Sequence, residues 1–122
     1  MKEALLWLEQ AKSDLHAARD SIKSRHYDWA CFQAQQAAEK AFKAKYLEVY
    51  KTIRKVHDLI FFGKELHLPE DLLHCCSELS KVYVETRYPS HEIIPAQKFS
   101  EKDAIHFLDL AERILEWLEK KL

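Results

Sequence analysis

Apolar residues recur along the chain at alternating three- and four-residue steps, the spacing of one stripe on an α-helix. From residue 2 to 24 the stripe is Ala4, Leu8, Ala11, Leu15, Ala18 and Ile22, widened by Leu5 and Trp7. Lys12, Asp14, Arg19 and Asp20 lie off it. Ser24-Arg25-His26 is a short polar break, which makes the next helix an antiparallel neighbour. That second helix, about Tyr27 to Val49, contains Ala30 to Leu47, a run without Gly, Pro or β-branched residues. Its alanines at 30, 34, 37, 41 and 44 share a stripe and let a neighbouring helix come close, while Gln36, Glu39, Lys40 and Lys43 occupy the other side.

The pattern then breaks. Lys51 to Val56 is basic and β-branched, has poor helix propensity and reads as a loop. A short third helix is predicted over about His57 to Leu66, with Gly63 inside it. Pro69 suits the first turn of a fourth helix, about Pro69 to Thr86, with Leu72, Leu73, Cys76, Leu79, Val82 and Tyr83 on its apolar stripe. Arg87-Tyr88-Pro89 ends it, because the residue before a proline disfavours the α region. Residues 88–99 read as a loop containing Pro95. Ser100 and Asp103 form the pattern of a capping box before a fifth helix, about Glu101 to Lys121. The prediction is an all-α fold, an antiparallel up-and-down bundle of about five helices, with residues 1–122 as one domain.

Composition sharpens this picture. One glycine and three prolines imply few turns and long elements. Hydrophobic residues at 48% and charged residues at 32% place the chain among globular proteins. A net charge of −1 shows no overall basic excess of the kind that drives non-specific nucleic-acid binding. Cys31, Cys75 and Cys76 contain no C-x-x-C pair and read as small apolar fillers in a reducing compartment. No apolar run has the length of a membrane span and no signal peptide precedes the first helix, so a cytoplasmic protein with no membrane association is expected.

Most catalytic chemistry finds no foothold. Of seven histidines no two lie four apart on one helix, and no metal site is expected. A single glycine leaves no phosphate-cradling loop or dinucleotide fingerprint, and no cofactor is expected. The remaining stretch is Tyr83 to His91. Tyr83 and Arg87 lie one turn apart and share a face. Arg87 can satisfy the last carbonyls of its own helix, or it can bind a phosphate bidentately. With His91 close by, an Arg/His pair suits phosphodiester cleavage, the His as acid or base and the Arg stabilising the developing charge.

Three blocks carry a family resemblance. They are Phe32-Gln33-Ala34-Gln35-Gln36-Ala37-Ala38-Glu39-Lys40-Ala41 in the second helix, His57-Asp58-Leu59 at the start of the third, and Thr86-Arg87-Tyr88-Pro89 after the fourth. In this order and spacing they resemble the HEPN family of small helical domains, named for higher eukaryotes, prokaryotes and nucleotide binding. The resemblance implies a helical bundle, commonly a homodimer, often beside a minimal nucleotidyltransferase in toxin–antitoxin or related modules. Many members are metal-independent RNases that use an Arg, four to six intervening residues and a His. Here Arg87 and His91 are separated by only three residues, with Pro89 among them. Arg19 and His26 match the spacing but cross the first inter-helix turn, so the match is read as chance.

The preferred reading is therefore a homodimeric partner of a minimal nucleotidyltransferase that binds nucleotide or RNA phosphate. Arg87 is expected to contact the phosphate, with Tyr83, Gln36 and Lys40 as its neighbours. One alternative is a metal-independent RNase toxin of a toxin–antitoxin pair using Arg87 and His91. The other is a purely structural dimerisation module in which the alanine stripe and exposed aromatics such as Trp117 serve packing and interface.

Overall fold

The computed structural model describes residues 2–88 and 93–121. Its helices are α1 (Lys2–Lys23), α2 (Tyr27–Tyr50), α3 (Leu59–Glu65), α4 (Glu70–Glu85), α5 (Pro95–Lys98) and α6 (Glu101–Lys121). The fold is the predicted all-α bundle with one element more than the pattern indicated. The four-residue α5 lies inside the segment read as a loop, with Pro95 in its first turn. Two boundaries also shift. His57 and Asp58 precede α3 rather than starting it, and Pro69 caps α4 from outside the helix. Among the described residues no helix is long and apolar enough to cross a membrane.

α2 is the central element and packs against α1, α3, α4, α5 and α6, with α1 its largest neighbour. The alanine stripe explains this. Ala30, Ala34, Ala37, Ala41 and Ala44 are all fully buried, and Ala11 and Ala18 on α1 are equally inaccessible. Farther along, Phe42 stacks on Phe62 of α3 at 5.9 Å between ring centroids. Gly63 has a packing reason inside α3: an added Cβ would stand 2.7 Å from a methyl of Leu73 and 3.4 Å from the Cys76 sulfur, both on α4.

With so little glycine, other residues take the left-handed positions at three helix ends. Arg25, Lys51 and His67 have φ of 65°, 59° and 58°. Around Arg25, the His26 N–H reaches the Ser21 carbonyl and the Arg25 N–H reaches Ile22. Around His67, Leu68 bonds back to Gly63 and His67 to Lys64. Both are Schellman-type closures that satisfy orphan carbonyls. Before α6, the Ser100 N–H donates to Asp103 and the Asp103 N–H donates to Ser100 Oγ, the reciprocal capping box. At the end of the bundle near the α2 N-terminus, Val82 of α4 joins Ala30, Cys31, Phe99 and Ala104 in a small second core. That cluster brings the C-terminal end of α4 beside the start of α2.

Candidate functional site

Three segments converge on the polar edge of α2. From α2 itself come Phe32, Gln35, Gln36, Glu39 and Lys43, spaced so that their side chains follow one side of the helix. α4 and its exit turn supply Tyr83 and Arg87. The loop between α2 and α3 supplies His57, which is held by its neighbours in the chain. The Asp58 carboxylate caps α3 by accepting from the Ile60 N–H, Leu59 is fully buried, and the Leu59 N–H donates to Ser80 Oγ on α4. His57, one residue earlier, is left against Glu39.

Glu39 is the hub. It is only 3% exposed, yet its carboxylate has three sources of hydrogen bonds. His57 Nδ1 lies 3.1 and 3.2 Å from the two oxygens, Lys43 Nζ donates at 3.0 Å, and Gln35 Nε2 donates at 3.3 Å. Gln36 Nε2 donates to Gln35 Oε1 at 2.8 Å and extends the chain. Such pairing is what a buried carboxylate requires. Among the described residues no buried polar side-chain atom is left without a partner.

The His57 ring stacks on Tyr83 with centroids 4.7 Å apart and planes 20° apart. Arg87 Nη1 donates to the Tyr83 hydroxyl. The guanidinium carbon lies 4.8 Å from the Tyr83 centroid and 5.5 Å from that of Phe32, within cation–π range of both. The shared Tyr83–Arg87 face is thus realised. Arg87 does not cap its own helix. Lys98 of α5 takes that place, with Nζ 3.0 Å from the Tyr88 carbonyl and 3.4 Å from that of Glu85.

Beside Arg87 a groove of about 540 Å³ is lined by Asp28, Trp29, Phe32, Thr86, Arg87 and Pro95. Trp29 stands edge-on to Phe32 at 6.0 Å and is 56% exposed.

The residues expected to share a site are only partly brought together. Tyr83 and Arg87 meet. Gln36 connects to them indirectly, through Gln35, Glu39 and His57. Lys40 is not drawn into the cluster: its ammonium lies 2.7 Å from Asp14 of α1, an ion pair across the α1–α2 seam. His91 and Pro89 lie outside the described residues, and with them the proposed Arg87/His91 arrangement. Trp117, expected as an exposed aromatic, is half-buried and packs against the main core. Two residues of the cluster are not found by sequence reasoning. Periodicity puts Glu39 on the polar side although it is buried, and it gives His57 only as part of a helix start. The signal for both is the occurrence of His57-Asp58-Leu59 and Glu39 in two blocks of one family pattern.

The cysteines are free and buried. Burial pushes the Cys31 and Cys76 thiols up to about 12, aided by Asp103 and Asp28 near Cys31 and by Cys75 and Asp58 near Cys76. Protonated, enclosed thiols suit packing rather than nucleophilic chemistry. Among the described residues no three His, Cys, Asp or Glu side chains converge as a metal site would need.

Comparison with known proteins agrees with this architecture. The HEPN domain model matches residues 4–121. The crystal structure of TT1696 from Thermus thermophilus is 35% identical, covers the whole of both chains and superposes with a TM-score of 0.90. ST0689, described as an archaeal HEPN homologue, is 34% identical over 99% of this chain and 98% of its own, with a TM-score of 0.85. A HEPN domain protein from Thermotoga maritima is 31% identical over 93% of this chain and 94% of its own, with a TM-score of 0.74. Comparison with curated proteins returned no match. A domain match over nearly the full length, joined to two solved HEPN structures above 30% identity, shows that the chain belongs to the HEPN family.

Proposed function

We propose that the protein is a cytoplasmic, homodimeric HEPN module that binds the phosphate of a nucleotide or RNA at Arg87 and serves as partner to a minimal nucleotidyltransferase. The observation that carries the binding site is the setting of the Arg87 guanidinium. It is anchored by the Tyr83 hydroxyl, lies over two aromatic rings and borders a groove with an exposed indole. An aromatic surface accepts a base by stacking, and a preorganised guanidinium accepts the phosphate. Asp28, in the same groove, offers a carboxylate to a base amino group or a ribose hydroxyl.

The homodimer is supported by exposed apolar side chains that neighbour the groove-lining residues in the chain. Val84 and Tyr88 flank Thr86 and Arg87 at 58% and 61% exposure, and Ile93 and Ile94 precede Pro95. Pairing with a nucleotidyltransferase rests on family membership.

Titration of the purified protein with ATP and with a short RNA, wild type against Arg87→Ala, tests the site. A loss of tenfold or more in affinity is expected, because a hydrogen bond to a charged group contributes about 1.5–3 kcal/mol. Equal affinity in the two proteins removes Arg87 from the site. Co-expression with a nucleotidyltransferase encoded in the adjacent reading frame, followed by affinity capture, tests the partnership, and separate elution overturns it.

A further inference from the structure

The Glu39–His57 pair has a geometry that its structural role alone does not require. Asp58, Leu59 and Ser80 already secure the start of α3. Lys43 and Gln35 already supply donors to the buried Glu39 carboxylate. His57 adds another, and in doing so it fixes which of its two nitrogens faces outward. With Nδ1–H given to Glu39, Nε2 meets no partner among the described residues, and the side chain is 55% exposed. The imidazole lies 4.7 Å from the Tyr83 ring, and Arg87 lies 4.8 Å from that same ring. Two cation-forming groups therefore attend one phenol, each held by a separate anchor.

We infer that His57, oriented by Glu39, is a second phosphate-binding residue beside Arg87, and that the site takes a chain of at least two phosphates. This rests on the Arg87 reading above. Arg87 holds one phosphate by its fork of N–H donors, and the imidazolium Nε2–H donates to the neighbouring one. Glu39 is a positioning residue: it fixes the ring plane and which nitrogen faces outward, as carboxylates do for histidines that work through the other nitrogen. The charged and titratable groups around the ring are Glu39 and Lys43 from α2, Tyr83 from α4, Arg87 from its exit turn, and Asp58 next to it in the chain.

ADP and AMP are the probes, titrated against the folded wild-type protein and its variants at fixed ionic strength. The ligands' own ionisation is common to every protein compared. Wild type is expected to favour ADP over AMP by about tenfold. His57→Phe keeps a ring against Tyr83 but has no nitrogen, and is expected to lower the ADP preference to near unity and leave AMP affinity unchanged. Glu39→Gln replaces the charge-assisted hydrogen bond to the ring by a weaker neutral one and is expected to lower the preference severalfold, with circular dichroism confirming the fold. If His57→Phe keeps the wild-type ADP preference, the inference is overturned while the Arg87 site stands. If Glu39→Gln does so, the positioning role is overturned. If wild type binds neither nucleotide, the inference and the Arg87 reading both fall.

Discussion

The two sides of α2 bury their residues by different means. Toward the main core the helix presents alanines, whose small side chains leave little room, and the polar pairs Lys40–Asp14 and Ser21–Gln33 flank them across the seam with α1. Toward α4 and the preceding loop it presents Gln35 and Glu39, which are as inaccessible as the alanines but are held by hydrogen bonds to each other, to Gln36 and Lys43 on the same helix, and to His57 from the loop. The first surface needs apolar groups and is intolerant of added volume, as packed interiors are. The second is the reverse: it has space and exposed rings, but each polar group depends on a named donor or acceptor. Stability is thus concentrated on one side of the helix and the proposed ligand site lies on the other.

That separation can be broken in either direction. The largest effect is expected from Phe42→Ala, since Phe42 is fully buried and stacked on Phe62. Truncating such a ring costs about 3–5 kcal/mol, and thermal unfolding should shift by roughly 4 °C for each kcal/mol. ATP affinity measured well below the new midpoint should be unchanged. Arg87→Ala is expected to do the opposite. Its side chain is exposed and packs into no core cluster, so the midpoint should stay within about 2 °C of wild type. ATP affinity should nevertheless fall by tenfold or more. A variant of either kind that moved both quantities together would show that the two sides are coupled through α2.

How much of this was legible follows the range of the interactions involved. The alanine stripe is a local periodicity, and the Ser100–Asp103 capping box spans three residues, so both could be read from the chain alone. Glu39 could not. Local position puts it beside Lys40 and Lys43 on a polar side, and nothing local shows that His57, arriving from 18 residues away, joins a carboxylate already paired with Lys43 and Gln35. Lys40 shows the converse. It lies one turn from Gln36 and groups with it by position, but Asp14, 26 residues earlier, takes its charge. α5 escaped because four residues are too few to show a helical period, although Pro95 marks its first turn.

The buried thiols give a pH-dependent measure of the packed side. Cys31 and Cys76 are raised from 9.0 to about 12 when folded. Between those values the unfolded chain has released protons that the folded chain retains. Stability should therefore be unaffected by these thiols below pH 9 and should fall as the pH rises from 9 toward 12. Urea unfolding in steps across that window checks the sign, with Cys31→Ala expected to flatten part of the decline. At about pH 8, below the ordinary thiol range, alkylation of Cys31 and Cys76 in the native protein should proceed only as fast as the chain opens.

The smallest effect expected is at the Lys40–Asp14 pair, and it bears directly on where the two sides of α2 divide. The pair bridges α1 and α2 at 2.7 Å with side chains 24% and 16% exposed. Partial burial shields it from solvent, while the long lysine side chain loses freedom in making it, so a coupling of about 1 kcal/mol is expected. A double-mutant cycle of Lys40→Ala and Asp14→Ala, read by thermal unfolding, should return that coupling and lose part of it in high salt. The same Lys40→Ala variant should bind ATP as wild type does. Lost affinity would mean that Lys40 leaves Asp14 when ligand is present, and that the polar edge reaches past Gln36 to the seam with α1. Retained affinity would bound the site at Glu39 and assign Lys40 to the stability of the helix pair.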